Sequence, residues 1–172
     1  MTGPTLSVEV ARPQDLAEID ALLARSYPAL LKADYPPSVL VTAIPLIARA
    51  NPRLIASGNY AVVRDAEGRI RGAGGLTREA PPGGGSGAPG VGHIRHVVTD
   101  HRYLRKGVGR TLMSWLHARA EAAGVTRFEC YSTLTAEPFY AACGYVRVAP
   151  MTVALRPGID FPAVHMRRVN ET

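Results

Sequence analysis

One segment constrains the fold of this 172-residue chain more than any other, because a strand, a glycine turn, a helix and a second strand follow in immediate succession. The first strand covers residues 93–99, the helix residues 108–123 and the second strand residues 125–132. One helical face carries Val108, Leu112, Trp115 and Leu116. A strand–helix–strand unit pairs its strands in parallel through a right-handed crossover. The segment therefore predicts the centre of a layered α/β domain.

The remaining periodicities predict a mixed sheet with helices, a fold of the α/β (α+β) class. Further strands are expected at residues 5–10, 59–64, 69–76, 145–155 and 162–169, and further helices at about 9–26, 38–50 and 135–143. Between the first two helices, residues 27–37 have turn character. The length suits a single domain over residues 1–172.

Residues 80–92 read APPGGGSGAPGVG. Glycine and proline at this density support neither a helix nor a central strand. We interpret the segment as a mobile loop between neighbouring strands, and a role as a lid over the site stays open.

Composition excludes several function classes. No run of about 18 apolar residues exists, so no membrane span and no membrane partner are expected. The N-terminus does not resemble a signal peptide, and two cysteines without a CxxC spacing favour reduced thiols in the cytoplasm. His93, His96 and His101 do not share one strand face and have no completing ligand, so no metal is expected.

The formal net charge of +6 is concentrated near the glycine turn. The turn reads DHRYLRKGVGRTLM, and its basic residues are Arg102, Arg105, Lys106 and Arg110. Gly107 and Gly109 allow a ligand to approach the backbone, and the start of the following helix offers free N–H groups and partial positive charge. A phosphate or pyrophosphate fits this turn. Nucleic acid is not expected, because aromatic residues are only 6% and no recognition helix is apparent.

Two motifs carry a resemblance to a known family. Leu104-Arg105-Lys106-Gly107-Val108-Gly109 resembles the acetyl-CoA signature of the GNAT N-acetyltransferase superfamily, Gln/Arg-x-x-Gly-x-Gly/Ala, with Leu104 departing from the preferred Gln or Arg. Residues 136–145, AEPFYAACGY, resemble the family's Ala-x-x-Phe-Tyr-x-x-x-Gly-Phe segment, with Tyr145 in place of the final Phe.

The resemblance implies a fold and a co-substrate. It implies a mostly antiparallel sheet whose central parallel strand pair is splayed by a bulge to hold coenzyme A, with acetyl-CoA as co-substrate. The cofactor-binding residues that it implies are Val97, Val98, Thr99, Arg105, Lys106, Gly107, Val108, Gly109, Arg110 and Thr133. Thr133 stands where many members carry an Asn that bonds the pantetheine arm.

The resemblance also implies catalytic roles for direct acetyl transfer to an amine. Tyr140 is expected to act as the acid near the coenzyme A sulfur. For the base, His93 lies at the offset where some members carry one, and histidine titrates near working pH. Glu129, acting through water, His96, on the opposite strand face if alternation is regular, and solvent remain alternatives.

The acceptor is left open by the sequence. The resemblance implies that the region between the first two helices borders the acceptor pocket, and here that region supplies Tyr27, Asp34 and Tyr35 as candidate substrate-binding residues. A small-molecule or peptide amine is expected, and small amines, amino acids, polyamines, aminoglycosides, protein N-termini and lysine side chains all remain open. Homodimers are common in the family, but no feature of the sequence specifies an interface. An acyl-CoA-binding sensor without turnover is the alternative function.

Overall fold

The computed structural model describes residues 5–79 and 88–170 of the chain. The strands are β1 (Ser7–Val10), β2 (Tyr60–Arg64), β3 (Ile70–Thr77), β4 (Val91–Thr99), β5 (Arg127–Thr133), β6 (Val146–Arg156) and β7 (Ile159–Val169). The helices are α1 (Leu16–Leu31), which a 3-10 turn at Pro13–Asp15 precedes, α2 (Pro37–Ile47), α3 (Pro52–Ala56), α4 (Val108–Ala122) and α5 (Glu137–Ala142). No described helix is long and apolar enough to cross a membrane.

All the strands form one sheet in the order β1-β2-β3-β4-β5-β7-β6. The β4–β5 pair is parallel, and the other neighbouring pairs are antiparallel. The predicted mixed, mostly antiparallel sheet with one central parallel pair is therefore confirmed. Helix α4 makes the crossover between β4 and β5, as the strand–helix–strand pattern predicts.

The two central strands stay paired over a short distance only. Their register joins three residue pairs, from Val91 with Arg127 to His93 with Glu129. Strand β4 then continues to Thr99 and β5 to Thr133 without further pairing between them. This divergence is the splay that the resemblance implies, and it exposes the facing edges of both strands to the interior of a cleft.

A bulge in β4 produces the divergence. Ala73 of β3 pairs with Val98 and Gly75 with Arg95, so His96 and Val97 together face the single residue Gly74. His96 takes the left-handed conformation with φ of 55°. A Cβ on Gly74 would stand 2.7 Å from Cγ2 of Val97, so only glycine admits the bulged strand at this distance.

Two apolar cores lie on opposite faces of the sheet. Val62 of β2 belongs to the core that α1, α2 and α3 cover, while its neighbours Ala61 and Val63 belong to the core under α4 and α5. Helices on both faces hold the sheet between them, and the cleft at the splay opens between the two layers.

Several element bounds differ from expectation. Helix α1 continues to Leu31 through Pro28, where the sequence predicts a turn, because Tyr27 and Leu31 are buried in the core and their packing offsets the lost backbone hydrogen bond. Helix α3 was not predicted, and the Asn51 side chain caps it. Most of the predicted loop at 80–92 lies outside the described residues, but residues 91 and 92 belong to β4.

Candidate active site

The turn before α4 has the backbone of an anion cradle. Gly107 is the N-cap of α4 with φ of 81°, a conformation that costs an L-residue about 1–2 kcal/mol. The first intrahelical bond runs from the Thr111 N–H to the Gly107 carbonyl, so the N–H groups of residues 108–110 precede the helical ladder. The predicted role of the glycine turn in presenting free N–H groups is consistent with this geometry.

The basic residues around the turn divide into two groups. Arg105, Lys106 and Arg110 are exposed at the turn, and the Lys106 ammonium lies 5.4 Å from the centre of the Tyr103 ring. Arg102 is instead bound to Asp100, with its Nη2 atom 3.2 Å from Oδ2. One of the four clustered charges, that of Arg102, therefore stabilises the fold, and the sequence does not indicate which of the four has this role.

Two cavities meet at this turn. The first, the turn cavity, has a volume of about 690 Å³ and is lined by α4 and α5 residues, including Val108, Gly109 and Arg110. The second, the central cavity, has a volume of about 670 Å³ and lies at the splay of β4 and β5. Thr99, Leu104, Arg105 and Phe139 line both cavities. A long ligand can thus run from the glycine turn to the middle of the sheet.

The predicted strand contacts line the central cavity. Val97, Val98 and Thr99 line it from the bulged part of β4, and Thr133 lines it from the end of β5. The Thr133 hydroxyl already accepts a hydrogen bond from the Ala136 N–H at 3.1 Å. Thr135, in contrast, has a buried Oγ1 atom without a described partner and also lines the cavity. Its hydroxyl is a polar contact that the family motifs did not suggest.

Tyr140 occupies the inner end of the cleft. It lies in α5, is 5% exposed and lines the central cavity. Burial raises the pKa of the phenol well above its usual value, and the neighbouring Cys130 thiol raises it further. Cys130, also buried, has its pKa raised by burial to about 12. The Tyr140 phenol therefore remains protonated at every working pH and is available as a proton donor.

Neither of the bases first suggested by the sequence lines the described cavities. His93 is 8% exposed and stands beside Glu129 in the β4–β5 register. Glu129 accepts from His165 Nε2 at 2.5 Å and from Arg167 Nε at 2.8 Å, and Arg127 Nε lies 3.0 Å away. Burial alone raises the Glu129 pKa, but His165 and Arg167 lower it below its usual value. The carboxylate is thus held in an ion-pair cluster.

His96 reaches the central cavity instead. Its Nε2 atom lies 2.8 Å from the Ile47 carbonyl, so this nitrogen donates and Nδ1 carries the lone pair. Burial lowers the pKa of His96, and the imidazole is neutral near pH 7. Regular alternation predicts this side chain on the opposite face from His93, and the bulge at φ of 55° changes that direction. His96 was among the alternative bases that the sequence left open, but nothing in the sequence indicates that its side chain faces the cavity.

The candidate acceptor residues have different surroundings. Tyr27 lines the central cavity and donates from its hydroxyl to the Val97 carbonyl at 3.1 Å. The Tyr35 hydroxyl is already occupied, because it donates to the Pro162 carbonyl at 2.7 Å and accepts from the Leu134 N–H at 2.8 Å. Asp34 is exposed and lines neither of these cavities. Among residues 5–79 and 88–170, no group of His, Cys, Asp or Glu side chains is placed to hold a metal ion.

The comparisons with known proteins concern one family of acetyltransferases. Residues 38–168 match the family model described as an acetyltransferase (GNAT) domain. A GCN5-related N-acetyltransferase structure from Rhodopseudomonas palustris, which its description also names a class-II aminotransferase, superposes with a TM-score of 0.75 at 22% identity, covering 99% of this chain and 98% of that one. No curated protein sequence matches the chain.

Two similar structures were solved with coenzyme A. PaiA N-acetyltransferase from Thermoplasma acidophilum, in complex with coenzyme A, has a TM-score of 0.70 at 12% identity and covers 96% of this chain and 99% of that one. A Mycobacterium tuberculosis protein in complex with CoA and NLQ has a TM-score of 0.63 at 18% identity, with the same coverage. At these identities the likeness concerns the fold.

Proposed function

The chain belongs to the GNAT family of acetyltransferases, and from that premise we propose that it transfers an acetyl group from acetyl-CoA to a primary amine by direct attack in a ternary complex. One observation carries the proposal. The turn cavity at the start of α4 continues into the central cavity, where Tyr140 and His96 are both found. The free thiols of Cys130 and Cys143 support a cytoplasmic location.

The residues present fit the coenzyme. The N–H groups at the start of α4, with Arg105, Lys106 and Arg110, would hold the pyrophosphate. The edge of β4 at residues 97–99, which pairs with no residue of β5, would hydrogen-bond the pantetheine arm. The Thr135 hydroxyl, which has no hydrogen-bond partner among the described residues, lies in the same cavity. When bound, acetyl-CoA supplies the thioester, and its sulfur is the leaving group.

Proton movements fall to two side chains of the central cavity. We assign to His96 Nδ1 the acceptance of a proton, either from the ammonium before attack or from the amine nitrogen as its bond to the carbonyl carbon forms, because Nε2 is occupied by the Ile47 carbonyl and the imidazole is neutral. We assign to the Tyr140 hydroxyl the donation of a proton to the departing sulfur. The phenol proton passes to the sulfur as the C–S bond breaks, so that the coenzyme leaves as the thiol, and burial keeps the phenol protonated until this step. Solvent then returns a proton to the Tyr140 phenolate and takes the amine's proton from His96.

Thiol release from acetyl-CoA in the presence of a panel of primary amines tests the proposal. The expected result is amine-dependent release together with saturable binding of acetyl-CoA. Binding without release across the whole panel would contradict the proposal and favour the sensor function. Mass analysis of the acceptor product, with a mass increase of one acetyl group, distinguishes transfer from simple thioester hydrolysis.

Gly109→Ala is expected to weaken acetyl-CoA binding about tenfold, that is by ~1.4 kcal/mol. A Cβ at this position would stand 2.8 Å from Cε2 of Phe139, and that ring lines both cavities. The ring must move into the path of the ligand. Calorimetric titration with acetyl-CoA measures the change.

Gly124→Ala is the matched control, because it adds the same methyl group just beyond the other end of α4. No heavy atom lies within 4 Å of a Cβ there, although φ of 92° strains the backbone. This variant is expected to lose stability and to keep its affinity for acetyl-CoA. Equal affinities in both variants would remove the proposed effect of the Phe139 ring.

His96→Asn is expected to abolish the acidic limb of the kcat/KM profile and to lower kcat/KM about a hundredfold at neutral pH. Asparagine tolerates the left-handed backbone and has no titratable group. Because burial lowers the pKa of His96, the wild-type limb should lie below the ordinary histidine value of about 6.5. Steady-state rates between pH 5 and 9 provide the measurement.

His93→Gln and Glu129→Gln are measured alongside, since the sequence leaves both residues as alternatives. If the limb disappears only in one of these variants and persists in His96→Asn, the base is that residue and our assignment is wrong. A limb that persists in all three variants would assign the proton to solvent.

A further inference from the structure

The charged side chains in the described lining of the central cavity are all basic, although the proposed acceptor is an amine. Of its described lining residues, none carries a carboxylate. The cations in the lining are Arg95 and Arg105, with His96 as the only other basic group. Arg105 belongs to the glycine turn, where it would serve the phosphates, while the Arg95 guanidinium is bound to Thr77, which lines a separate cavity.

The wall of the cavity away from the glycine turn is apolar. Its side chains come from α1, α2, β6 and β7, and they are Leu30, Leu31, Ile47, Val153, Leu155 and Phe161. The wall is also held in place, because the Tyr35 and Phe161 rings stack at 4.6 Å and both polar contacts of the Tyr35 hydroxyl are fixed. An acceptor that enters here contacts apolar side chains.

The two carboxylates that the sequence suggests for the site, Asp34 and Glu129, do not line the central cavity. Asp34 is exposed and lines neither cavity described above. Glu129 is neutralised by His165, Arg167 and Arg127. The Arg95 guanidinium makes one side-chain hydrogen bond, to Thr77 Oγ1 at 3.3 Å, and no ion pair with a described carboxylate. Burial lowers the pKa of Arg95, and the charge of Glu79 opposes this shift.

Desolvation then discriminates among amines. A charged ammonium that leaves water for an apolar wall without a carboxylate loses its hydration and gains no compensating ion pair. The reacting amino group avoids this cost by giving up its proton. A second ammonium on the same molecule has no such route and finds no carboxylate among the described lining residues.

We propose that the acceptor is a monoamine whose amino group is carried on an apolar group, and that polycationic amines are selected against. The inference rests on the proposed acetyl transfer and narrows its substrate class. Polyamines and aminoglycosides, which the sequence leaves open, are disfavoured, while alkyl and aryl-alkyl monoamines fit the wall.

A matched pair of acceptors tests the inference in the wild-type protein. Hexylamine and hexamethylenediamine have the same chain length and differ by a second amino group, which is charged at pH 8. We expect kcat/KM for hexylamine to exceed that for the diamine by about tenfold or more, after a twofold statistical correction for the two equivalent amines of the diamine. Equal values, or a preference for the diamine, would overturn the inference while leaving acetyl transfer intact.

A negative charge introduced into the wall should weaken the preference for hexylamine. Leu155 is partly buried and contributes to the apolar wall from β6. Leu155→Asp is expected to reduce the hexylamine preference by about fivefold or more, because the carboxylate pairs with the second ammonium. Leu155→Asn introduces a polar side chain of similar volume to Asp but without its charge. It is expected to keep the wild-type ratio of kcat/KM for hexylamine to kcat/KM for the diamine.

Val153→Asp with Val153→Asn repeats the test from the neighbouring inward position of β6, should the first pair fail to fold. A ratio that is the same in the Asp and Asn variants overturns the inference. Failure of acetyl transfer itself has a different signature. In that case acetyl-CoA binds, but neither amine releases thiol from the wild-type protein.

Discussion

Tyr140→Phe is expected to lower kcat about a hundredfold to a thousandfold, with little change in the Kd of acetyl-CoA. The substitution removes one buried hydroxyl from the inner end of the central cavity and leaves the ring in place. Because the raised pKa keeps the phenol protonated, it donates to the departing sulfur over the whole working range. Without that proton the sulfur must leave as a free thiolate. Single-turnover rates and acetyl-CoA titrations on the same preparation measure the two quantities separately.

Tyr145→Phe provides the control for a lost buried hydroxyl. The Tyr145 hydroxyl lies 2.7 Å from His117 Nε2, and its ring contacts that of Tyr140, but it lines neither described cavity of the site. We expect a loss of about 1 kcal/mol in the free energy of unfolding and a kcat close to that of the wild type. An unchanged kcat in Tyr140→Phe would remove the acid role from that residue.

Asp100→Ala is expected to cost about 3–5 kcal/mol in the free energy of unfolding, the largest effect we predict for a single side chain. Asp100 follows β4 and is fully buried. Its Oδ2 atom lies 3.0 Å from Arg25 Nη2, 3.1 Å from Arg71 Nη1 and 3.2 Å from Arg102 Nη2. Removing the carboxylate leaves three guanidinium groups around one buried position without their common partner. Urea unfolding at neutral pH measures the loss.

The same carboxylate makes stability depend on pH. Burial alone raises the pKa of Asp100, but hydrogen bonds from Arg102, Arg25 and Arg71 hold that pKa well below its usual value. A lowered pKa in the folded state contributes stability above the unfolded-state value of about 3.9. That contribution is lost as the pH falls below this value toward the folded pKa. The wild type should therefore lose stability more steeply than Asp100→Ala below pH 4.

Glu121→Ala is the control for the loss of a carboxylate. Glu121 is exposed in the last turn of α4 and makes no described ion pair within 4 Å. Its replacement is expected to change the free energy of unfolding by less than about 0.5 kcal/mol. A similarly small change in Asp100→Ala would show that the three arginines find other partners or water.

Local patterns in the chain predicted the order of the described elements apart from the short helix α3. The single apolar face of α4 and the glycine at its start predict a helix that begins at residue 108, and the helix begins there. The parallel pairing of β4 with β5 follows from the same segment, since a helix of this length can return the chain only by a crossover. The mixed sheet and the GNAT family, both inferred from local motifs, are confirmed.

Long-range pairing decided the remaining parts of the site. Asp100 and Arg25 are 75 residues apart, and nothing near either residue indicates that one neutralises the other. Likewise, His165 and Arg167 reach Glu129 only because β7 pairs with β5. A candidate base became part of an ion-pair cluster through a strand that follows it in the chain by some thirty residues.

The sequence by itself determined which segments become helices and strands and where the anion-binding turn lies, because backbone propensity, apolar periodicity and glycine conformation act over a few neighbouring residues. Only the tertiary structure decided which side chains face the central cavity. The bulge opposite Gly74 turns the His96 side chain toward the central cavity. The described side chains that α1, α2, β6 and β7 contribute to the cavity wall include no carboxylate. Such directions depend on distant backbones that pack together, and no short stretch of sequence contains that information.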